Sequence, residues 1–152
     1  MPIQDQYPDD YAHCYGCGRL NAHGLHVQTE WNGSEGVARF RPRPEHVAIP
    51  GFVYGGLLAS LIDCHAIGTA AAASMPAAGL RPGVDPSPRF VTAGLDVRFL
   101  KPTPHGPELV LRATAVELTA RKVIVEVSVF VGDVETVHAR VVAAPLPASM
   151  IR

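Results

Sequence analysis

From residue 24 the chain alternates: Leu25, Val27, Thr29 and Trp31 face one way, and His26, Gln28 and Glu30 the other. After Asn32-Gly33-Ser34, residues 36–41 alternate again, and a period of two on both sides of an Asn-Gly turn predicts a β-hairpin. Residues 52–73 have no such period. They are almost wholly apolar, preceded by Pro50-Gly51 and closed by Ser74-Met75-Pro76, which predicts one long helix. Residues 77–88, rich in Pro and Gly, read as a loop. Four strand-like runs follow at 90–100, 108–118, 121–131 and 134–143. In the third, Val123, Val125, Val127, Val129 and Val131 share a face opposite Lys122, Glu126 and Ser128. Short connections favour antiparallel hairpins over helical crossovers. The expected fold is α+β, an antiparallel sheet curved around one long apolar helix. The sheet covers only one side of a helix that is apolar all round, so a second copy of the chain is expected on the other, as a homodimer or a dimer of dimers. Residues 1–23 read as a leader packed on the domain, 24–145 as a single domain, and 146–152 as a tail.

Composition narrows the classes. With 13 basic and 14 acidic side chains among 152 residues, the chain is nearly neutral, which argues against a phosphate-backbone binder and thus against nucleic acid. The 47% of hydrophobic residues argues against disorder. Residues 52–73 are long enough for a membrane span, but Asp63, His65, two glycines and many alanines make a poor one, so no membrane partner is expected. The first residues lack a basic stretch followed by an apolar one, and a cytoplasmic location is expected. Three cysteines, two of them in Cys14-x-x-Cys17, do not suggest a disulfide framework there.

Asp63 is the most informative residue. A carboxylate near the centre of an apolar helix costs several kcal/mol unless it is hydrogen-bonded or reached by water. It is either satisfied by a nearby group or kept for chemistry. Gly55-Gly56 at the start of the same helix costs ~1 kcal/mol per glycine relative to alanine, which makes sense where a ligand approaches the backbone or the helix packs closely. Unpaired amides of a first turn, at the positive end of the helix dipole, can polarise a carbonyl or hold an oxyanion. The seven residues from Gly56 to Asp63 span about 10 Å of helix, too far for one reacting carbonyl to touch both. If both act on one bond, the glycines of one protomer must face the Asp of another.

These residues belong to a longer pattern: Cys17-Gly18-x-x-Asn21-x-x-Gly24-Leu25; His46 through Pro50-Gly51 to Tyr54-Gly55-Gly56; Leu61-Ile62-Asp63; Phe90-Val91-Thr92; and Phe99-Leu100-Lys101-Pro102-Thr103-Pro104. The pattern resembles the hotdog-fold acyl-CoA thioesterases, in particular the phenylacetic-acid-degradation thioesterase-like group, from about Cys14 to Ala143. The resemblance implies a hotdog fold and hydrolysis of an acyl-CoA or related acyl thioester. It implies that Asp63 acts as general base or nucleophile, that the Gly55 amide polarises the thioester carbonyl, and that Thr92 helps to place the water or the carboxylate. Two positions depart from it: Tyr54 stands where relatives usually carry His, and Ala48 where some carry Asn. Tyr can donate a hydrogen bond but is a poor proton acceptor near neutral pH. Tyr54 is therefore expected to orient substrate, and a non-hydrolytic protein binding acyl-CoA or a lipid-like ligand is the alternative. A dehydratase on this fold would need a paired His and acid, which the chain does not display.

Further candidates for substrate binding are Gly56, His46 ahead of the helix, His65 as a second polar group on it, and Arg89 and Lys101, whose charges suit the phosphates of coenzyme A. Arg98 reads as a solvated strand residue and Trp31 as packed. Cys14 and Cys17, with His13, His23 and His26 nearby, offer zinc-ligand types, but no second Cys-x-x-Cys completes the pattern. The expectation is a structural turn with no metal and no cofactor, and a core position for Cys64.

Overall fold

The computed structural model describes residues 1–151. Position 152, the last of the expected tail, lies outside the described residues. Six strands form one antiparallel sheet: β1 (Glu30–Trp31), β2 (Gly36–Phe40), β3 (Phe90–Phe99), β4 (Leu109–Leu118), β5 (Val123–Val131) and β6 (Val134–Pro145). Their spatial order is β1-β2-β4-β5-β6-β3, so β3 is an edge strand although it lies mid-chain. A single long helix, α1 (Gly55–Ser74), packs against the sheet.

Alternation explains the sheet. Val123, Val125, Val127 and Val129 of β5, Leu109, Leu111 and Ala113 of β4, and Val137, Ala139, Val141 and Ala143 of β6 all bury one face. Fully burying an apolar side chain of this size contributes about 1.5–3 kcal/mol. Against that surface α1 places Leu58, Leu61 and Ile62, and then Ala70, Ala71 and Ala72, whose short side chains let the helix approach closely. The helix is apolar enough to cross a membrane by length and composition, but most of it is buried beneath the sheet and the leader.

Three details differ from the sequence expectation. The first strand shrinks to the two residues of β1, because the Leu25 and Val27 amides instead bond to the carbonyls of Tyr15 and Gly16, at 2.8 and 3.0 Å. The helix begins at Gly55, since Phe52 and Val53 form bridges to Pro104 and Val47. The side of α1 that a second copy was expected to cover is largely covered by the chain itself. Ile3, Tyr7, Cys17, Leu25 and Val27 are buried in the same core as the helix. Apart from Gly55 and the last turn at Ala73 and Ser74, what stays open on α1 is the stripe Gly56, Ala59, Ser60 and Asp63, at i, i+3, i+4 and i+7 on one face. The stripe is small and polar, and by itself needs no apolar cover.

Candidate active site

The amino end of α1 is built to leave amides free. Tyr54 is the N-cap, with extended backbone and no side-chain cap, and its carbonyl accepts the Leu57 and Leu58 amides at 3.1 and 3.3 Å. The Gly55 and Gly56 N–H groups precede these and have no carbonyl to meet within the helix. Gly55 opens on a cavity of about 500 Å³ lined by Ile49, Phe52, Leu58 and Phe99, with Lys101 exposed at its margin. A Cβ on Gly55 would stand 3.3 Å from the Phe99 ring. Gly56 faces another hollow, of about 290 Å³, shared with His46, Tyr54 and Ser60. The Tyr54 ring lies over Gly56 so closely that a Cβ there would come within 2.5 Å of it, so glycine is what allows this placement.

Asp63 sits two turns further along the open stripe. It is half-buried, not enclosed in the apolar core as its sequence neighbours suggest, because its side of α1 is left open. Thr92 Oγ1 donates a hydrogen bond to Asp63 Oδ1. The β3–β6 register shifts between Thr92 and Gly94, a bulge of the kind that re-aims a side chain at a sheet edge. Asp63 and Thr92 line a small cavity of about 150 Å³, separate from those of Gly55 and Gly56. Within one chain, the carboxylate and the free amides thus open on different spaces.

The other expected residues divide. His46 joins Tyr54 and Gly56, and its Nδ1 accepts the Arg43 amide at 2.9 Å. Burial and the neighbouring Arg43 charge hold its pKa below the usual imidazole value. His65 is elsewhere and cannot serve as a substrate-binding residue in this arrangement. It is fully buried, with Thr29 Oγ1 2.8 Å from Nδ1 and the Gly36 carbonyl 3.1 Å from Nε2. Gln4 Nε2 donates to Thr29 Oγ1 at 2.9 Å, which leaves the Thr29 hydroxyl to donate to Nδ1 and Nε2–H to donate to Gly36. Burial pushes the His65 pKa down to about 4 and keeps it neutral. Both of its hydrogen-bond partners belong to its own chain. Arg89 stacks its guanidinium 3.9 Å from the Tyr7 ring centroid and lines the Asp63 cavity, while Lys101 lies by Gly55, so the two cations are at different places. Arg98 is solvent-exposed and 3.8 Å from Asp96, and Trp31 is packed against the core.

One group was not visible in the sequence. The sulfurs of Cys14, Cys17 and Cys64 all lie within 4.8 Å of one another, with Cys64 on α1 beside Asp63 and the other two in the leader. The histidines that neighbour the pair in sequence do not join it. His13, His23 and His26 are exposed, and His26 Nε2 contacts the Asn21 carbonyl at 2.5 Å. Cys14, the most exposed of the three, has its thiol pKa pulled far down by hydrogen bonds from the Cys17 and Cys64 thiols, whereas those two are pushed up. The separation of fifty in sequence between Cys14 and Cys64 hid their proximity, and only the docking of the leader on α1 reveals it.

Comparison with known proteins places this geometry among relatives. Residues 50–142 match the family model described as the Thioesterase superfamily. The crystal structure of a Thioesterase superfamily protein from Shewanella loihica is 42% identical, with 91% of this chain and 98% of that one covered and a TM-score of 0.70. A thioesterase from Haemophilus influenzae shares the fold at 14% identity, covering 86% of this chain and 85% of its own, with a TM-score of 0.67. A Streptococcus mutans protein solved bound to acetyl CoA does so at 15% identity, 79% and 88% coverage and a TM-score of 0.63. No curated protein matches the chain.

Proposed function

The chain belongs to the thioesterase superfamily and has its hotdog fold, and from that premise we propose that it hydrolyses an acyl thioester of the coenzyme A type. The observation that carries the reading is the Asp63 carboxylate, held by Thr92 on the one open stripe of an otherwise covered helix. The acetyl CoA seen on a protein of the same fold supports a coenzyme A substrate.

In this reading the active site forms between two protomers. β3 presents a ten-residue free edge with Leu95 and Phe99 exposed, and such an edge invites pairing with a second copy. Pairing there would bring the partner's Asp63 and Thr92 toward the cavity beyond Gly55. The Gly55 amide, with Gly56 beside it, holds the thioester oxygen as negative charge develops on it. The partner's Asp63 takes a proton from water, whose oxygen bonds to the carbonyl carbon. The carbon–sulfur bond then breaks, and the thiolate leaves and is protonated. Asp63 attacking directly would give an anhydride that water then opens. Phe52, Leu58 and Phe99 receive the acyl group, Tyr54 and His46 orient it from the neighbouring hollow, and Lys101 supplies charge for the phosphates.

The test is release of free thiol from a panel of coenzyme A thioesters varied in chain length and aromaticity, with Asp63→Asn as control. Turnover by the parent and its loss in the variant are expected. Saturable binding of the same thioesters without thiol release would instead favour a ligand-binding protein, the reading that the Tyr54 departure supports. Sedimentation of the parent as a monomer at micromolar concentration would remove the two-protomer site.

A further inference from the structure

Cys14, Cys17 and Cys64 converge from two distant parts of the chain, and neither the fold nor the hydrolytic reading requires them. A tetrahedral zinc ion with Zn–S bonds of about 2.3 Å places its sulfurs about 3.8 Å apart. The Cys14 and Cys64 sulfurs stand 3.8 Å apart, and all three fall within 4.8 Å, so closure of the remaining pairs needs only small side-chain rotations. The loop is shaped for this. The Gly18 amide bonds back to the Cys14 carbonyl at 2.7 Å, turning the chain so that both thiols face α1. At Gly16 a Cβ would collide with the Cys64 sulfur, so the missing side chain is what admits the third thiol.

The surroundings fit the charge. Zinc with three thiolates carries a net charge of about −1, which is costly to half-bury without compensation. Arg89 lines the same cavity as the three cysteines, and its Nε and Nη1 are buried without a hydrogen-bond partner among the described residues. An anionic centre there would give these donors the partner that they lack.

We propose that Cys14, Cys17 and Cys64 bind one zinc ion that ties the leader to α1 next to Asp63, with Arg89 as its counter-charge. No fourth His, Cys, Asp or Glu joins the group among the described residues, so the remaining coordination position faces the cavity and takes water. The pair in the leader, which sequence alone presents as a metal-free turn, thereby gains its third ligand from the helix. The proposal is independent of whether the protein hydrolyses thioesters.

Metal analysis of untagged protein, prepared under reducing conditions and passed over a chelating resin, should find about one zinc per chain, against less than about a tenth for Cys14→Ser. Cobalt added to the metal-free chain should give the visible bands of tetrahedral cobalt with sulfur charge-transfer absorption. Cys64→Ser should abolish both. All three thiols should resist alkylation until a strong chelator is added, and zinc should raise the thermal midpoint of the metal-free chain. Should the buried Cys64→Ser fail to fold, Cys14→Ser, at an exposed position, decides. Reduced wild-type protein that retains no zinc and gives no sulfur-to-cobalt absorption overturns the proposal. So does a Cys14→Ser variant that retains zinc fully.

Discussion

The two halves of α1 are made of similar residues and put to different uses. From Gly55 to Asp63 the helix keeps a stripe open, leaves its first amides unpaired and faces three cavities. From Cys64 to Ala72 every residue is buried, and the polar ones, His65 and Thr69, bond within the chain. Ala-rich composition does not separate the halves. What separates them is what the leader covers: it closes over the second half and leaves Asp63 at the boundary. Substitutions on the open stripe of the first half should therefore change turnover with little effect on stability, and those in the second half should do the reverse.

The strongest attempt to break this contrast is Asp63→Asn. It keeps size and removes the charge, and a loss of about 10²–10⁴-fold in thioester turnover is expected with the unfolding midpoint unchanged or slightly raised. A folded variant hydrolysing at the parent rate would dissolve the distinction. Acid offers the next test, on the other half. The folded pKa of His65, about 4, lies below its ordinary 6.5, so between those values the unfolded chain binds the extra proton. Its contribution is complete above pH 6.5 and is lost as pH falls toward 4, by as much as about 3 kcal/mol. Urea midpoints at several pH values should show this slope in the parent, and the slope should be reduced in His65→Gln. His46, lowered in the same direction, titrates in both proteins, so the difference between them isolates His65.

Thr92→Val removes the only side-chain donor to Asp63 among the described hydrogen bonds. A drop of about tenfold in kcat, with a small change in KM, is expected from steady-state kinetics if the hydroxyl orients the carboxylate. Tyr54→Phe should matter least, at about fivefold or less in kcat/KM, since the ring stays over Gly56 and only one hydrogen bond to substrate is forgone. A larger loss for Tyr54→Phe than for Thr92→Val would move the chemistry from the middle of α1 to its amino end.

The strands from β4 to β6 were legible because each buries one face, and the valine row of β5 is the plainest case. Asp63, Gly55, Tyr54 and Thr92 were legible as types in a pattern. Their division among separate cavities was not, because it depends on which side of α1 the leader occupies. The leader's apolar residues are scattered among acids, prolines and glycines without a period, so nothing in its pattern shows that Ile3 and Tyr7 are almost wholly buried. For the same reason the reach of Cys64 to the leader and the in-chain partners of His65 were hidden. All of these are contacts across 25 or more residues, made by side chains that have no period to display.

The relay from Gln4 through Thr29 and His65 to Gly36 also governs how the leader can come away. Its hydrogen bonds run in one direction, and Gln4 further accepts the Thr29 amide at 2.7 Å and donates to the Cys64 carbonyl at 3.3 Å. Lifting Gln4 alone would strand several buried groups at once, at about 1–3 kcal/mol for each one left unpaired. Partial peeling is thereby penalised, and the groups joined by the relay are expected to open together and not one by one. In hydrogen exchange, the amides of Ile3, Val27 and Thr29 would open together as one cooperative unit.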